Sequence, residues 1–216
     1  MMQEHYFTQQ STDPASYVLL RDQIGSHNLQ VWSAPGLFAA KSFDKGTKAL
    51  LTSYHVPDVQ DLQILDLGCG YGVVSVFFAQ KFVRQDLDNI KTLHIDACDI
   101  SPRALDLTRH NLTEYYHKNF SYKVVESDGL WASYFADRRY DSIMTNPPFS
   151  VGKRKVQELL VQAYDHLNPG GMLRVVIPTK RWAKSYIKRA QEYFAVDQVV
   201  LHSIVGGFRV WTLTKS

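Results

Sequence analysis

The stretch "LQILDLGCGYGVVSVFFAQKFV", Leu62 to Val83, decides the fold. A short apolar run is broken by glycines at alternate positions, Gly68, Gly70 and Gly72. It then resumes as a segment with apolar residues on most sides of a helical period. That pattern predicts a buried strand, a glycine-rich turn and a buried helix. Glycines at such a turn supply positive φ angles and let the backbone approach a ligand closely.

The alternation continues downstream. "KTLHIDACDIS" predicts a second strand, and Ser101-Pro102 opens the helix "PRALDLTRHNLTEYY" with proline at a favoured first-turn position. "SYKVVESDG" and "YDSIMTNPP" are third and fourth strands. "VQELLVQAYDHLNPGG" is an amphipathic helix, with Leu159, Leu160, Ala163 and Leu167 at helical spacing and a Gly-Gly stop. "MLRVVIPTK" is a fifth strand, followed by the basic helix "RWAKSYIKRAQEYF". "VDQVVLHSI" and "FRVWTLTK" are two more strands with no helix between them. Strands alternating with helices and then pairing directly predict an α/β fold: a mostly parallel seven-stranded sheet with an antiparallel last strand, and so an antiparallel edge. Upstream, "YVLLRDQIGSHNLQVWSAPG" alternates around a turn-like centre and predicts a small N-terminal β-hairpin extension. "SFDKGTKALLTSYH" reads as a loop capping a helix. A single domain over 1–216 is expected, with 1–55 as the β extension and capping helix and 56–216 as the Rossmann-like core.

Composition narrows the partners. Hydrophobic residues make up 45% and charged residues 21% of 216, ordinary for a globular protein and unlike a disordered one. The net charge of +3 is compatible with an anionic partner and too weak to demonstrate one. Cys69 and Cys98 lie outside any CxxC frame, so neither a disulfide framework nor structural zinc is expected; both read as small buried residues of a reducing, cytoplasmic protein. His94 reads as a packed strand residue, and no metal is implied. The polar start "MMQEHYFTQQSTDPAS" shows no signal-peptide pattern, and no apolar run reaches the roughly 20 residues of a membrane span.

Three acids follow successive strands. Asp66 precedes the first glycine, where it would repel a pyrophosphate, and the glycine spacing differs from the dinucleotide G-x-G-x-x-G. An acid there suits the cationic amino-acid end of S-adenosylmethionine (SAM). Asp99 ends the second strand, where a carboxylate can accept from both ribose hydroxyls, and Asp128 ends the third, within reach of an adenine amino group. Singly, each acid is more often a helix cap than a ligand, and Asp99 before Ser-Pro is an obvious capping candidate. Jointly they favour a ligand at the carboxyl ends of the strands.

The fourth strand runs directly into Asn146-Pro147-Pro148-Phe149. Two adjacent prolines remove two backbone donors and hold their predecessors extended, so Asn146 is presented rigidly. Here the chain resembles the class I SAM-dependent methyltransferases that modify a planar nitrogen with an Asn/Asp-Pro-Pro-aromatic motif. The resemblance implies that the Asn146 side-chain oxygen and the Pro147 carbonyl accept the two N–H groups of the acceptor. Phe149 would stack on its plane, a contact worth about 1–3 kcal/mol per base. It also implies SAM as cofactor, held by Asp66, Gly68, Cys69, Gly70, Gly72, Asp99, Ile100, Asp128, Gly129 and Asn146. "APGLFAAKSFDKGTKALL", with Gly36, Phe38, Asp44, Gly46 and Thr47, is similar to the N-terminal signature of the small-subunit ribosomal RNA guanine-N2 methyltransferases (RsmC-type). Full-length members carry a second, degenerate domain ahead of the catalytic one, and this chain resembles the catalytic half alone.

That family implies ribosomal RNA or the small ribosomal subunit as partner, with Lys153, Arg154, Lys155 and Arg181 on an RNA-binding rim. The same residues read equally well as an ordinary solvated helix face. Trp182 and Tyr186 suit core packing better than base stacking. No membrane association is expected, and the chain is expected to be a monomer or weak homodimer. A protein glutamine amide or a small molecule is the alternative acceptor for the same clamp. A non-catalytic SAM- or RNA-binding relative is a third reading, which the intact glycine turn and NPPF disfavour.

Overall fold

The computed structural model describes residues 16–179, 183–194 and 199–216. The chain opens with a hairpin, β1 (Val18–Ile24) and β2 (His27–Ser33), paired from Val18↔Ser33 to Ile24↔His27 across the Gly25-Ser26 turn. Its alternation buries Leu20, Ile24, Leu29 and Val31. Helix α1 (Lys45–Thr52) follows, with Asp44 as its N-cap. The core then alternates β3 (Asp61–Leu67), α2 (Val73–Val83), β4 (Thr92–Asp99), α3 (Pro102–Leu112), β5 (Phe120–Glu126), β6 (Tyr140–Thr145), α4 (Lys153–Asp165), β7 (Leu167–Pro178), α5 (Ala183–Ala190), β8 (Val199–Val205) and β9 (Phe208–Thr214).

The large sheet has the order β5-β4-β3-β6-β7-β9-β8. All pairs from β5 to β7 are parallel. β9 runs antiparallel to both β7 and β8. The last strand is antiparallel as its direct connection to β8 requires. It lies between β7 and β8, so the β8–β9 pair makes the antiparallel edge of the sheet. Two boundaries differ from the sequence pattern. β7 begins at Leu167, before the Gly-Gly pair taken as a helix stop, because Gly170 and Gly171 exchange backbone hydrogen bonds with Lys215 and so extend the β7–β9 ladder. α4 starts at Lys153, three residues ahead of Val156, from Gly152 and without a side-chain cap.

Strand order reverses between β3 and β6, which creates the switch point at which open α/β sheets leave a crevice. The register pairs Asp66 with Met144 and Leu67 with Thr145. Gly68 and Asn146 therefore leave adjacent parallel strands at the same level.

Helix α2 is buried on nearly all sides, with Val73, Val74, Val76, Phe77, Phe78, Ala79 and Phe82 in one cluster with the hairpin and α1. The sheet covers one face of α2 and the N-terminal extension the other, which explains why its sequence lacks a polar face. Asn111 of α3, 3% exposed, fixes the extension in place. Its Oδ1 accepts from Trp32 N at 2.8 Å, while its Nδ2 donates to Trp32 O at 2.9 Å and to Tyr71 O at 2.8 Å. One amide thus joins β2 to the glycine turn. On β4, buried Asp96 accepts from Tyr134 and Tyr140, both at 2.7 Å, and pairs with His94 Nε2 at 3.0 Å. His94 Nδ1 meets Ser121 Oγ at 2.8 Å, so that histidine is fully engaged in a structural network. Among the described residues, no helix is long and apolar enough to cross a membrane.

Because Asn111→Ala leaves three backbone groups without partners, it should lower stability by about 2–4 kcal/mol. Urea denaturation checks this, and the loss should exceed that of a surface Asn→Ala substitution.

Candidate active site

Four elements build the site at the carboxyl ends of β3, β4, β5 and β6. The glycine turn after β3 is anchored from β4 and α3. Gly68 N and Cys69 N both donate to Cys98 O at 2.9 Å, and Gly70 N donates to Asp99 Oδ2 at 2.9 Å. Thr108 Oγ1 donates to Gly70 O at 2.9 Å, and Tyr71 OH reaches Ala39 O of the N-terminal loop at 3.1 Å. Gly72 has a φ of +85°, and a Cβ there would lie 3.0 Å from Thr108, so a side chain is excluded by both backbone and space. A Cβ on Gly68 or Gly70 would meet nothing within 4 Å, so the ground before those residues is open to a ligand. Cys69 is buried against Thr108, and burial pushes its thiol well above the ordinary range, so it is inert.

Asp66 lies beneath this turn at 2% exposure. Its Oδ2 accepts from Ser75 N at 3.1 Å and Ser75 Oγ at 2.7 Å, tying β3 to the first turn of α2. Burial raises its pKa to about 7, against the pull of the Ser75 hydrogen bonds. Asp99 spends Oδ2 on Gly70 N and Oδ1 on Ser101 N, at 2.9 Å each. It braces the glycine turn and the residue ahead of α3, whose N-cap is Ser101 rather than Asp99, and each oxygen keeps a lone pair for a further donor. Ile100, 45% exposed, offers an apolar surface beside it. Asp128 is half exposed and accepts from Lys155 Nζ at 2.8 Å. A Cβ on Gly129 would lie 2.7 Å from Gln162 Oε1, and Gln162 Oε1 accepts from Leu130 N at 3.0 Å. α4 thus packs closely on the segment after β5.

At the end of β6, Asn146 Nδ2 donates to Asp44 Oδ1 at 2.6 Å and to Thr47 Oγ1 at 3.0 Å. Both partners belong to the start of α1, about a hundred residues earlier in the chain. The α1 cap and the NPPF segment therefore form one cluster, a contact that the sequence pattern did not reveal. Its signal in the sequence was Asp-x-Gly-Thr before a helix, a capping pattern that is also part of the N-terminal family signature. Pro147 is buried and Pro148 exposed. Phe149 is half-buried, edge-on to Tyr186 with ring centroids 5.5 Å apart. Tyr186 is a core residue at 4% exposure, as its helical spacing suggested.

The basic residues divide. Lys155 is paired with Asp128, Arg154 Nε lies 3.6 Å from Glu158, and Lys48 pairs with Asp22 at 2.8 Å. Lys153, Lys41 and Lys45 are exposed. Arg181, with Lys180 and Trp182, lies outside the described residues. Among the described residues, no group of three His, Cys, Asp or Glu side chains could hold a metal ion.

Comparison with known proteins agrees with this arrangement. A family profile described as "Methyltransferase small domain" matches residues 28–209. The Bacillus subtilis protein YbxB is 30% identical over 199 residues, spanning 92% of this chain and 93% of that protein. Ribosomal RNA small subunit methyltransferase C of Haemophilus influenzae (strain PittEE) is 35% identical over 192 residues, covering 86% of this chain and 51% of the relative. The chain thus spans about half the length of such relatives. Among solved structures, the T. thermophilus 16S rRNA N2 G1207 methyltransferase RsmC, in complex with AdoMet and guanosine, superposes with a TM-score of 0.73 at 22% identity, over 93% of this chain and 51% of that one. The chain belongs to the methyltransferase small domain family of SAM-dependent methyltransferases.

Proposed function

We propose that this chain methylates an exocyclic amino nitrogen of RNA, guanine N2 of the small-subunit ribosomal RNA. The carrying observation is the Leu67↔Thr145 register, which brings the open glycine turn and Asn146 out of adjacent strands side by side. The names of the RsmC relatives and the guanosine complex of the T. thermophilus protein support guanine as the acceptor.

Bound SAM supplies an electrophilic methyl group on a sulfonium. Gly68 and Gly70 would line its amino-acid end, with Asp66 beneath them. Asp99 would accept the ribose hydroxyls on its free lone pairs, Ile100 would cover the adenine, and Asp128 would take its amino group. The acceptor nitrogen is a weak nucleophile because its lone pair is delocalised into the ring. Asn146 Oδ1 and the Pro147 carbonyl would accept its two N–H groups and aim the lone pair at the methyl carbon. The two carbonyl oxygens would stabilise the positive charge that develops on the acceptor nitrogen as it takes the methyl group, until a proton leaves to water. Positioning and electrostatics carry the reaction, and no dedicated base is required. Lys153 and Arg154 would meet phosphates beside the acceptor.

The reading is tested with methyl-tritiated SAM offered separately to ribosomal RNA, ribosomal subunits, transfer RNA and a protein extract. Label in RNA that digests to N2-methylguanosine supports it; label only in protein moves the clamp to a glutamine amide. Asn146→Ala should lower transfer about 100- to 1000-fold, as for removal of one transition-state hydrogen bond, with SAM affinity within a few fold. Asp99→Ala should weaken SAM by about 1.5–3 kcal/mol in isothermal titration. The carboxyl of Asp66 has a second consequence. Its folded value of about 7 exceeds the ordinary 3.8, so the stability it contributes as the neutral form is complete below 3.8 and is lost as pH rises to 7. The SAM ammonium reverses that preference. Affinity for SAM should therefore rise with pH up to about 7, and Asp66→Asn should flatten that rise.

A further inference from the structure

The side-chain amide of an asparagine can present either its oxygen or its NH2 to a ligand, and only one choice serves an amino acceptor. In this chain the choice is forced chemically. A carboxylate only accepts hydrogen bonds, so the 2.6 Å contact with Asp44 Oδ1 requires Nδ2 of Asn146 to face it. The Thr47 hydroxyl, 3.0 Å from the same nitrogen, takes the second amide proton. Both amide protons are then committed to α1, and among the described residues Oδ1 receives no donor. The local sequence is built around this contact. Asp44 is held by its capping bond from Thr47 N at 2.9 Å, and the positive end of α1 favours its charge. A Cβ on Gly46 would lie 2.9 Å from Asp44 Oδ1 and 3.1 Å from the Phe208 ring, so only glycine lets the helix start sit this close to both Asp44 and β9. Lys48, one turn on, anchors α1 to the hairpin through Asp22 at 2.8 Å.

We infer that Asp44 and Thr47 are positioning residues that lock the Asn146 amide with its oxygen toward the acceptor and, by charge-assisted hydrogen bonding, make that oxygen a stronger acceptor. This role rests on the proposed function only in assigning Asn146 Oδ1 to the substrate. It makes the N-terminal extension part of the catalytic machinery. Removing α1 or its cap would release the amide to rotate, and half of the resulting orientations would oppose N–H to N–H.

The cap and the lock can be separated. Asp44→Ser retains a side-chain oxygen for the Thr47 N–H, since serine caps about as well as aspartate, but is too short to reach Asn146. It should keep the wild-type melting temperature and SAM affinity, with kcat lowered about 10- to 100-fold and KM for RNA little changed. Asn146→Asp alone sets two carboxylates at the Asp44 contact and should lose activity. A substrate-free measurement stands beside these: in 15N spectra, the two Asn146 side-chain amide protons should be well separated and protected from exchange in the wild type, and should move to free-amide positions in Asp44→Ser. An Asp44→Ser enzyme of wild-type rate, or amide signals unmoved by Asp44→Ser, would each overturn the inference. If the amide is locked but the wild type labels no RNA, the proposed acceptor fails and the lock stands.

Discussion

The parallel pairing of β3 with β6 is the constraint on which the rest depends. Parallel strands release their following loops at the same end of the sheet. The matched register of Leu67 and Thr145 makes those two loops, the glycine turn and NPPF, immediate neighbours. A slip of one residue would turn every side chain of β6 to the opposite face and bury the group that now faces the crevice. Both strands are buried on both faces, with Ile64 and Met144 in one core cluster and Leu65 and Ile143 in the other, so each side chain is held in place by its own packing.

Neither loop is left to hold its own shape. The glycine turn is braced by Cys98 O, the Asp99 carboxylate, the Thr108 hydroxyl and the Asn111 amide, all from β4 and α3. NPPF is braced by its own prolines and by Asp44 and Thr47 of α1. Groups aligned in advance of reaction need little reorganisation, which is what the proposed transfer, carried by positioning and electrostatics, would use. The N-terminal hairpin and α1 serve this end. They cover the apolar outer face of α2, they are fastened through Asn111, and they deliver Asp44 to Asn146.

Much of this was legible in the sequence. The glycine turn and NPPF each followed a strand, the three acids lay at or just past strand ends, and periodicity placed those strands in a mostly parallel sheet. The hairpin was visible from alternation around Gly25-Ser26. Three features were not legible, for distinct reasons. β9 inserts between β7 and β8 because strand order is a tertiary property that alternation does not encode. The Asp44–Asn146 contact joins residues about a hundred apart, and the sequence marks Asp44 as a cap, which it is, and as part of a family signature, without showing its partner. The pairing of Lys155 with Asp128 was hidden because helix periodicity does not say which acid lies opposite.

The most direct test of the account is a crystal structure with guanosine and a non-reactive SAM analogue. The account predicts guanine N2 within hydrogen-bond distance of Asn146 Oδ1, the Asn146 nitrogen still on Asp44, and the amino-acid end of the analogue over Gly68 and Gly70. Guanine bound away from Asn146, or an Asn146 amide that leaves Asp44 to meet it, would contradict the account.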